Sequence, residues 1–335
     1  LISHALSSCI EELENPSPEF TQLFINGQLS NSDGLREITV SNINSFTGEG
    51  SPLEASGKIF RDGQDPLDLE VLSTGTLRPP QGYMFEAGRE YFVEISLADG
   101  RVITSEPQII LPPLKTDSIS FAVREDRNDE RRPGEPIVFR KIEFFAHIDL
   151  ADLSERQQYF RWVIDEAWLM IGLGQGNICY VEESIRENPY QVASNTTPGA
   201  KVGEVKISVL DNPLDFSFEH EHYINVYTHS LDASSYDFYA KNLRLTDING
   251  SLYDEIPGQI EGNLRNVDDP EEKVTGWVEF FLADTLRLKV FGRDINALVP
   301  QQCDIAPGAT PPLRCTSCVN VYGIETRDPP FYWER

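Results

Sequence analysis

Five cysteines carry the most readable chemistry in this chain of 335 residues, at positions 9, 179, 303, 315 and 318. Cys9 follows Leu6-Ser7-Ser8, an apolar residue and two small ones. That is the pattern before which a bacterial lipoprotein signal peptidase cuts. On this reading residues 1–8 are the remnant of a secretory signal and Cys9 becomes an acylated N-terminus. Each buried CH₂ adds roughly 0.8 kcal/mol of membrane affinity, and two or more chains anchor stably. Cys179, Cys303, Cys315 and Cys318 remain, and four cysteines allow three pairings. Cys315-Thr-Ser-Cys318 has the spacing of half a zinc site or of a redox pair. A zinc knuckle needs a second close pair, and a thioredoxin-type site needs a strand before it and a helix after it. The sequence offers neither, so structural disulfides formed in an oxidising compartment are expected. They would pin the C-terminal tail to the body.

Other constellations weigh toward the bland reading. In Glu219-His220-Glu221-His222 the two histidines would share one face of a strand, where two imidazoles can hold a transition metal. No third ligand is identifiable, because His229 has the opposite parity, so exposed strand histidines are expected and no metal is assigned. Asp268-Asp269-Pro270-Glu271-Glu272 lacks the alternating oxygens and the glycine of a calcium loop and reads as a solvated turn. The doublets Asp165-Glu166 and Glu182-Glu183 suggest a glycosidase. That chemistry needs two carboxyls at a set separation across a cleft. Adjacent strand residues point to opposite faces, so neither doublet supplies the pair by itself. There is no G-x-S-x-G elbow. No catalytic residue and no cofactor are therefore predicted. Of the four tryptophans, Trp162, Trp168 and Trp277 read as core. Trp333, beside Tyr332 in a proline-rich tail, is expected to be exposed or at an interface with a partner or ligand.

The elements that must position these residues are strands. The formal net charge is −26, spread along the chain. It argues against nucleic acid as a partner and against lying flat on anionic lipid. No apolar run is long enough for a membrane-spanning helix. β-branched and aromatic residues, 23 Gly and 22 Pro make the mix of an all-β protein. A polar spacer, residues 9–19, leads to short strands near 22–26, 37–41, 58–60, 91–97 and 101–105, with hairpin signals at Asp62-Gly63 and Asp99-Gly100. This predicts an immunoglobulin-like β-sandwich over residues 20–112. Pro112-Pro113 makes a stiff connector. Residues 113–335 then form a larger β-rich domain. Its expected strands are 118–123, 141–149 with Ile142, Phe144, Ala146 and Ile148 inward, 159–171, 178–181, 205–209, 223–229, 277–282 and 286–291. The charged run Arg124 to Arg132 reads as a solvated loop, and Gly172-Leu173-Gly174-Gln175-Gly176 as a hairpin turn. One helix is predicted near 232–246, capped by Asp232 or Ser230. Tyr236, Tyr239, Ala240 and Leu243 form its apolar stripe.

Five stretches carry a resemblance. They are the cysteine motif at 6–9; Tyr91 to Ser105 with Leu111-Pro112-Pro113 and Asp117-Ser118; Tyr159-Phe160-Arg161-Trp162; Ser230 to Leu243 with Gly262-Asn263-Leu264-Arg265-Asn266-Val267-Asp268-Asp269-Pro270; and Cys315-x-x-Cys318 with Pro330-Phe331-Tyr332-Trp333. In order and spacing the chain resembles a family of Bacteroidetes outer-membrane lipoproteins known only as a domain of unknown function and often encoded beside TonB-dependent transporters. Members tend to end in Pro-Asp-Phe-Trp, from which this tail departs. The acidic run Glu11-Glu12-Leu13-Glu14 is similar to the signal that sends such lipoproteins to the outer face of the outer membrane. Asp117-Ser118-Ile119 and Asp284-Thr285-Leu286 resemble the O-glycosylation sequence of that phylum, at Ser118 and Thr285. The resemblance implies a non-catalytic accessory subunit of a TonB-dependent transporter, lipid-anchored and facing the cell exterior, acting in ligand capture or complex assembly. The alternatives are a stand-alone carbohydrate-binding or adhesive module, which needs an exposed aromatic platform, and a hydrolase, which needs converging carboxylates.

Overall fold

Apolar residues recur at every second position through most of the chain, and stretches with that period fold as strands. The computed structural model describes residues 21–32, 35–44, 50–128, 137–149, 158–173, 177–183, 190–195, 204–246, 260–317, 325–330 and 332–333. The expected anchor at Cys9, the spacer 9–19 and Cys318 lie outside the described residues. The fold is all-β, built of antiparallel sheets packed as sandwiches.

In the first sandwich, Thr21–Leu29 pairs along its whole length with Arg36–Asn44. Gly50–Pro52, Thr76–Arg78 and Glu70–Ser73 extend that sheet. The facing sheet holds Ala55–Arg61, Leu67–Asp68, Glu90–Leu97, Val102–Ser105 and Gln108–Ile109. Alternate residues of both sheets, among them Leu23, Ile25, Ile38, Ile59, Val93 and Ile95, fill the core between them. The hairpin read at Asp99-Gly100 forms: Gly100 has φ +94°, and Asp99 Oδ1 accepts from the Arg101 amide at 3.1 Å.

Residues 20–112 do not supply every strand of this sandwich. Leu264–Asn266 adds antiparallel to Val102–Ser105, and Val278–Phe280 adds parallel to Thr21–Leu29. The returning chain runs so close that a Cβ on Gly276 would sit 1.9 Å from the Ile25 carbonyl oxygen. Only glycine fits there, and its φ of +115° is one that side chains rarely adopt.

In the second sandwich a three-stranded sheet, Thr116–Asn128, Ile137–Asp149 and Glu204–Pro213, packs on a larger one. The larger sheet runs in the order Ala283–Phe291, Glu221–Leu231, Tyr159–Ile171, Ile178–Glu183, Glu325–Thr326, with Gln191–Ser194 also on the central strand. Ile142, Phe144, Ala146 and Ile148 point inward as expected, against Phe160, Trp162 and Ile164. The charged run departs from expectation, because Arg124 to Asn128 continue the strand instead of forming a loop. Cross-strand charge pairs hold it there: Arg124 lies 2.5 Å from Asp211, and Lys141 bridges Asp211 at 3.1 Å and Asp126 at 3.7 Å. Residues 129–132 of that run lie outside the described residues. The helix spans Ala233–Thr246, and Asp232 caps it by accepting from the Ser235 amide at 2.7 Å.

One strand joins the two sandwiches. Val278 and Phe280 point into the first core. Trp277, Glu279 and Phe281, of opposite parity, point away from it. Trp277 stacks on Phe238 of the helix at 4.6 Å, Glu279 reaches Arg161, and Phe281 stacks on His229 at 4.1 Å.

Candidate functional site

The register of the larger sheet decides which polar side chains meet. Residues of even number on Tyr159–Ile171 face the inner core, and residues of odd number face the opposite, outer surface. Asp165 and Glu166 therefore part company, as their adjacency predicts. Glu166 is buried with His222, whose Nε2 lies 2.9 Å from Glu166 Oε2, and Asn212 Nδ2 donates to the same oxygen at 2.7 Å. The His222 ring is stacked on Phe218 at 4.0 Å. This corrects the expectation of two exposed strand histidines. The strand begins at Glu221, so His220 sits in the preceding bend, half-buried, while His222 is core. Among the described residues no group of three or more His, Cys, Asp or Glu is placed to hold a metal.

The outer surface carries two polar clusters. The first is closed. Arg161 is fully buried, with Nη2 2.8 Å from Glu279 Oε2 and its guanidinium 4.1 Å from the centre of the Tyr239 ring. Tyr239 donates to Glu279 at 2.8 Å, and His229 Nδ1 lies 3.1 Å from Arg161 Nη2. Burial, and then the Arg161 charge, push the His229 imidazole well below its usual range, so it is neutral and its Nδ1 accepts. Burial pushes the Glu279 carboxyl up, against the pull of Arg161 and the Tyr239 hydroxyl. This cluster is a clasp between sheet, helix and joining strand.

The second cluster lies further along the same surface, between the helix and the C-terminal tail. Asp165 is directly opposite Asn225, and Asn225 is directly opposite Arg287, so carboxylate, amide and guanidinium line up across three strands. Tyr227 lies one step along this face and donates to Asp165 Oδ2 at 3.3 Å. Arg287 Nε donates to Asn225 Oδ1, and its guanidinium lies 3.9 Å from the centre of the Tyr332 ring. Glu182, paired with Ala167, is a diagonal neighbour of Asp165 on the same face. Burial and then the Glu182 charge raise Asp165 to about 6, although the Tyr227 hydroxyl pulls it down. Burial raises Glu182 as well. One member of each acidic doublet thus meets the other on one surface, a pairing that neither doublet discloses alone. Strand parity would have placed Asp165 opposite Glu166; only the cross-strand register reveals Glu182, Asn225 and Arg287.

The tail partly roofs this strip. Trp333 is buried over the small Ala167, 4.5 Å from the ring of Tyr223 and 4.9 Å from that of Tyr180. That corrects the expectation of an exposed tryptophan: a strand surface with alanine at its middle leaves a dimple that the indole fills. Tyr332 is half-buried. Earlier in the C-terminal segment a disulfide between Cys303 and Cys315 closes a loop, and the Leu173 amide, donating to the Cys315 carbonyl at 2.6 Å, fastens that loop to the larger sheet. Cys179 is buried and disulfide-bonded too. Ser118 and Thr285 are both exposed, on strands brought together where the Thr116 amide donates to Asp284 Oδ2 at 2.8 Å.

A cavity of about 420 Å³ opens near the start of the first sandwich, lined by Thr21, Gln22, Leu23, Asn42, Arg101, Glu272 and Lys273. Arg101 is held by Asp99 at 2.7 Å and Glu272 at 2.5 Å. This contact ties the Asp268–Glu272 turn to the sandwich and makes it a structural turn.

A search of curated proteins gave no match. A family model described as Domain of unknown function (DUF4249) matches residues 10–287, well over half of the chain. The chain belongs to that family.

Proposed function

We propose that the protein is a non-catalytic lipoprotein, held on the outer face of a Bacteroidetes outer membrane by acyl chains on Cys9, and that it serves as an accessory subunit of a TonB-dependent transporter. Its part would be ligand capture or complex assembly. The observation that carries this reading is the direction of the first strand. Thr21–Leu29 starts a short spacer after Cys9 and runs toward the joining strand, where the Phe281 amide donates to the Leu29 carbonyl at 3.1 Å. At roughly 3.3 Å per residue it spans roughly 30 Å. The second sandwich, with its polar strip, is thereby carried away from the tether, as suits a subunit that meets ligand or partner beyond the lipid surface. The stand-alone saccharide-binding reading draws on the same strip. Purification of the tagged native protein from outer membranes in mild detergent tests the proposal. A transporter barrel should be recovered with it, and mass spectrometry should find acyl chains on Cys9. Repeated recovery as a lone monomer, or an unmodified Cys9 in a soluble fraction, overturns it.

A further inference from the structure

We propose that the strip formed by Asp165, Glu182, Asn225, Tyr227 and Arg287, walled by Tyr332, is a binding site for the hydroxyl groups of a neutral saccharide. The proposal deepens the capture role and rests on it for its biological setting, but its chemistry is independent of any transporter.

Asn225 points to a ligand most directly. It is fully buried, and among the described residues its Nδ2 has no well-aligned hydrogen-bond partner. Folded proteins seldom leave such a group unpaired, so each instance calls for an explanation. Arg287 occupies Oδ1 and fixes the amide orientation. Nδ2 is turned toward the Asp165 carboxylate and the Tyr332 hydroxyl, both of which it favours in their charged form, without a well-aligned hydrogen bond to either. A donor without a well-aligned acceptor therefore stands beside a carboxylate that accepts from Tyr227 at 3.3 Å.

The ligand class follows from that inventory. Asp165 and Glu182 can each accept from hydroxyl hydrogens, while Asn225 Nδ2 and Arg287 can donate to hydroxyl oxygens. Adjacent hydroxyls of a sugar offer both in alternation at the spacing of neighbouring side chains. An anionic ligand would meet two carboxylates on a chain of net charge −26. A metal cation would find only two carboxylates, because the Asn225 oxygen is taken and its nitrogen end is a donor. An ammonium group would be repelled by Arg287 and could not accept from Asn225. Tyr332 lies over Arg287 and beside Asn225 and carries a hydroxyl of its own, so a bound sugar displaces or slides beside that ring.

The test is an array of neutral hexose, pentose and N-acetylhexosamine oligosaccharides probed with the full chain, followed by calorimetry on the best binder. The wild type should bind at least one, and Asp165→Asn and Arg287→Ala should each weaken that binding at least tenfold. Asp304→Asn, a remote exposed acid, should leave it unchanged, and circular dichroism should show all three folded. Binding to no neutral glycan, or binding that survives both site substitutions, overturns the proposal. Recovery of a transporter barrel by Arg287→Ala protein separates the two readings. A barrel without any wild-type glycan binding removes the saccharide site and leaves the accessory role. Glycan binding sensitive to both substitutions, without a barrel, supports the site and removes the accessory role.

Discussion

Asp165 and Glu279 are both acids enclosed by protein on the same surface, and they differ in whether a cation answers them. Among the described residues Asp165 has none in contact. The charged and titratable groups around it are Glu182, Glu166, Tyr227, Tyr332 and Arg287, and the balance raises it from 3.8 to about 6. Between those two values the folded chain holds a proton that the unfolded chain releases. Stability therefore falls as pH rises through that window and levels off above it. Asp165→Asn removes the cost. It should stabilise the protein at pH 8 by about 2–3 kcal/mol at most, and the gain should fade by about pH 4. Urea titrations at the two pH values check this, and equal midpoints for mutant and wild type at pH 8 would show a hydrated, unstrained carboxylate. Glu279 instead faces Arg161 at 2.8 Å with neither group in water. Glu279→Gln leaves a buried guanidinium unpaired and should cost about 3–5 kcal/mol. The double change Arg161→Met with Glu279→Leu should cost much less than the sum of the single changes, a coupling that a double-mutant cycle measures.

The short helix Leu313–Thr316 and the hairpin beside it show how covalent and hydrogen-bonded ties work together. Leu173 N donates to the Cys315 carbonyl at 2.6 Å, and Asn177 Nδ2 donates to the Thr316 carbonyl at 2.9 Å. With Cys303 joined to Cys315, the partner of Cys179 is Cys9 or Cys318. Thr316 is held at Asn177, and two further residues on each strand of chain cover about 7 Å, enough for Cys318 to meet Cys179. Peptide mapping without reduction should give Cys303–Cys315 and Cys179–Cys318, with Cys9 in neither. A Cys9–Cys179 peptide would sink both this pairing and the lipid anchor. At this scale much was legible in advance. The strand 159–171, the inward set Ile142 to Ile148 and the Asp232 cap follow from local periodicity and side-chain chemistry, which act within a few residues. The failures share a cause. Polarity makes His222 and Arg124 to Asn128 look exposed, and a proline-rich tail does the same for Trp333, yet each is settled by a partner distant in sequence: Glu166, Asp211, and Ala167 with Tyr223. The polar strip was hidden for the same reason, since register across three strands is not written in any one of them.

Across the whole molecule, the proline pair at 112–113 divides the strands in sequence without dividing the sheets. Val278–Phe280 covers the edge of Thr21–Leu29, and side chains lock it in place. Gln108 Nε2 donates to the Val278 carbonyl at 2.7 Å while its Oε1 accepts from the Phe280 amide at 3.1 Å. Asn263 brackets Val278 in the same way, at 2.7 and 3.0 Å. The odd side chains of that strand, Trp277, Glu279 and Phe281, are equally committed to the helix and to Arg161 and His229. Neither sandwich can lose this strand without exposing apolar residues and stranding buried polar groups, which costs more than a domain of this size can absorb. A fragment of residues 20–112 should therefore fail to fold by itself, giving a poorly dispersed amide spectrum and binding a hydrophobic dye. The full chain should unfold in one transition, with fluorescence from the tryptophans of the joining strand and second sandwich and circular dichroism from both sandwiches changing together. A well-dispersed spectrum from the fragment, or two separated transitions in the full chain, would mean that the returning strand decorates a domain already complete. The direct coupling between the first sandwich and the polar strip would then be lost.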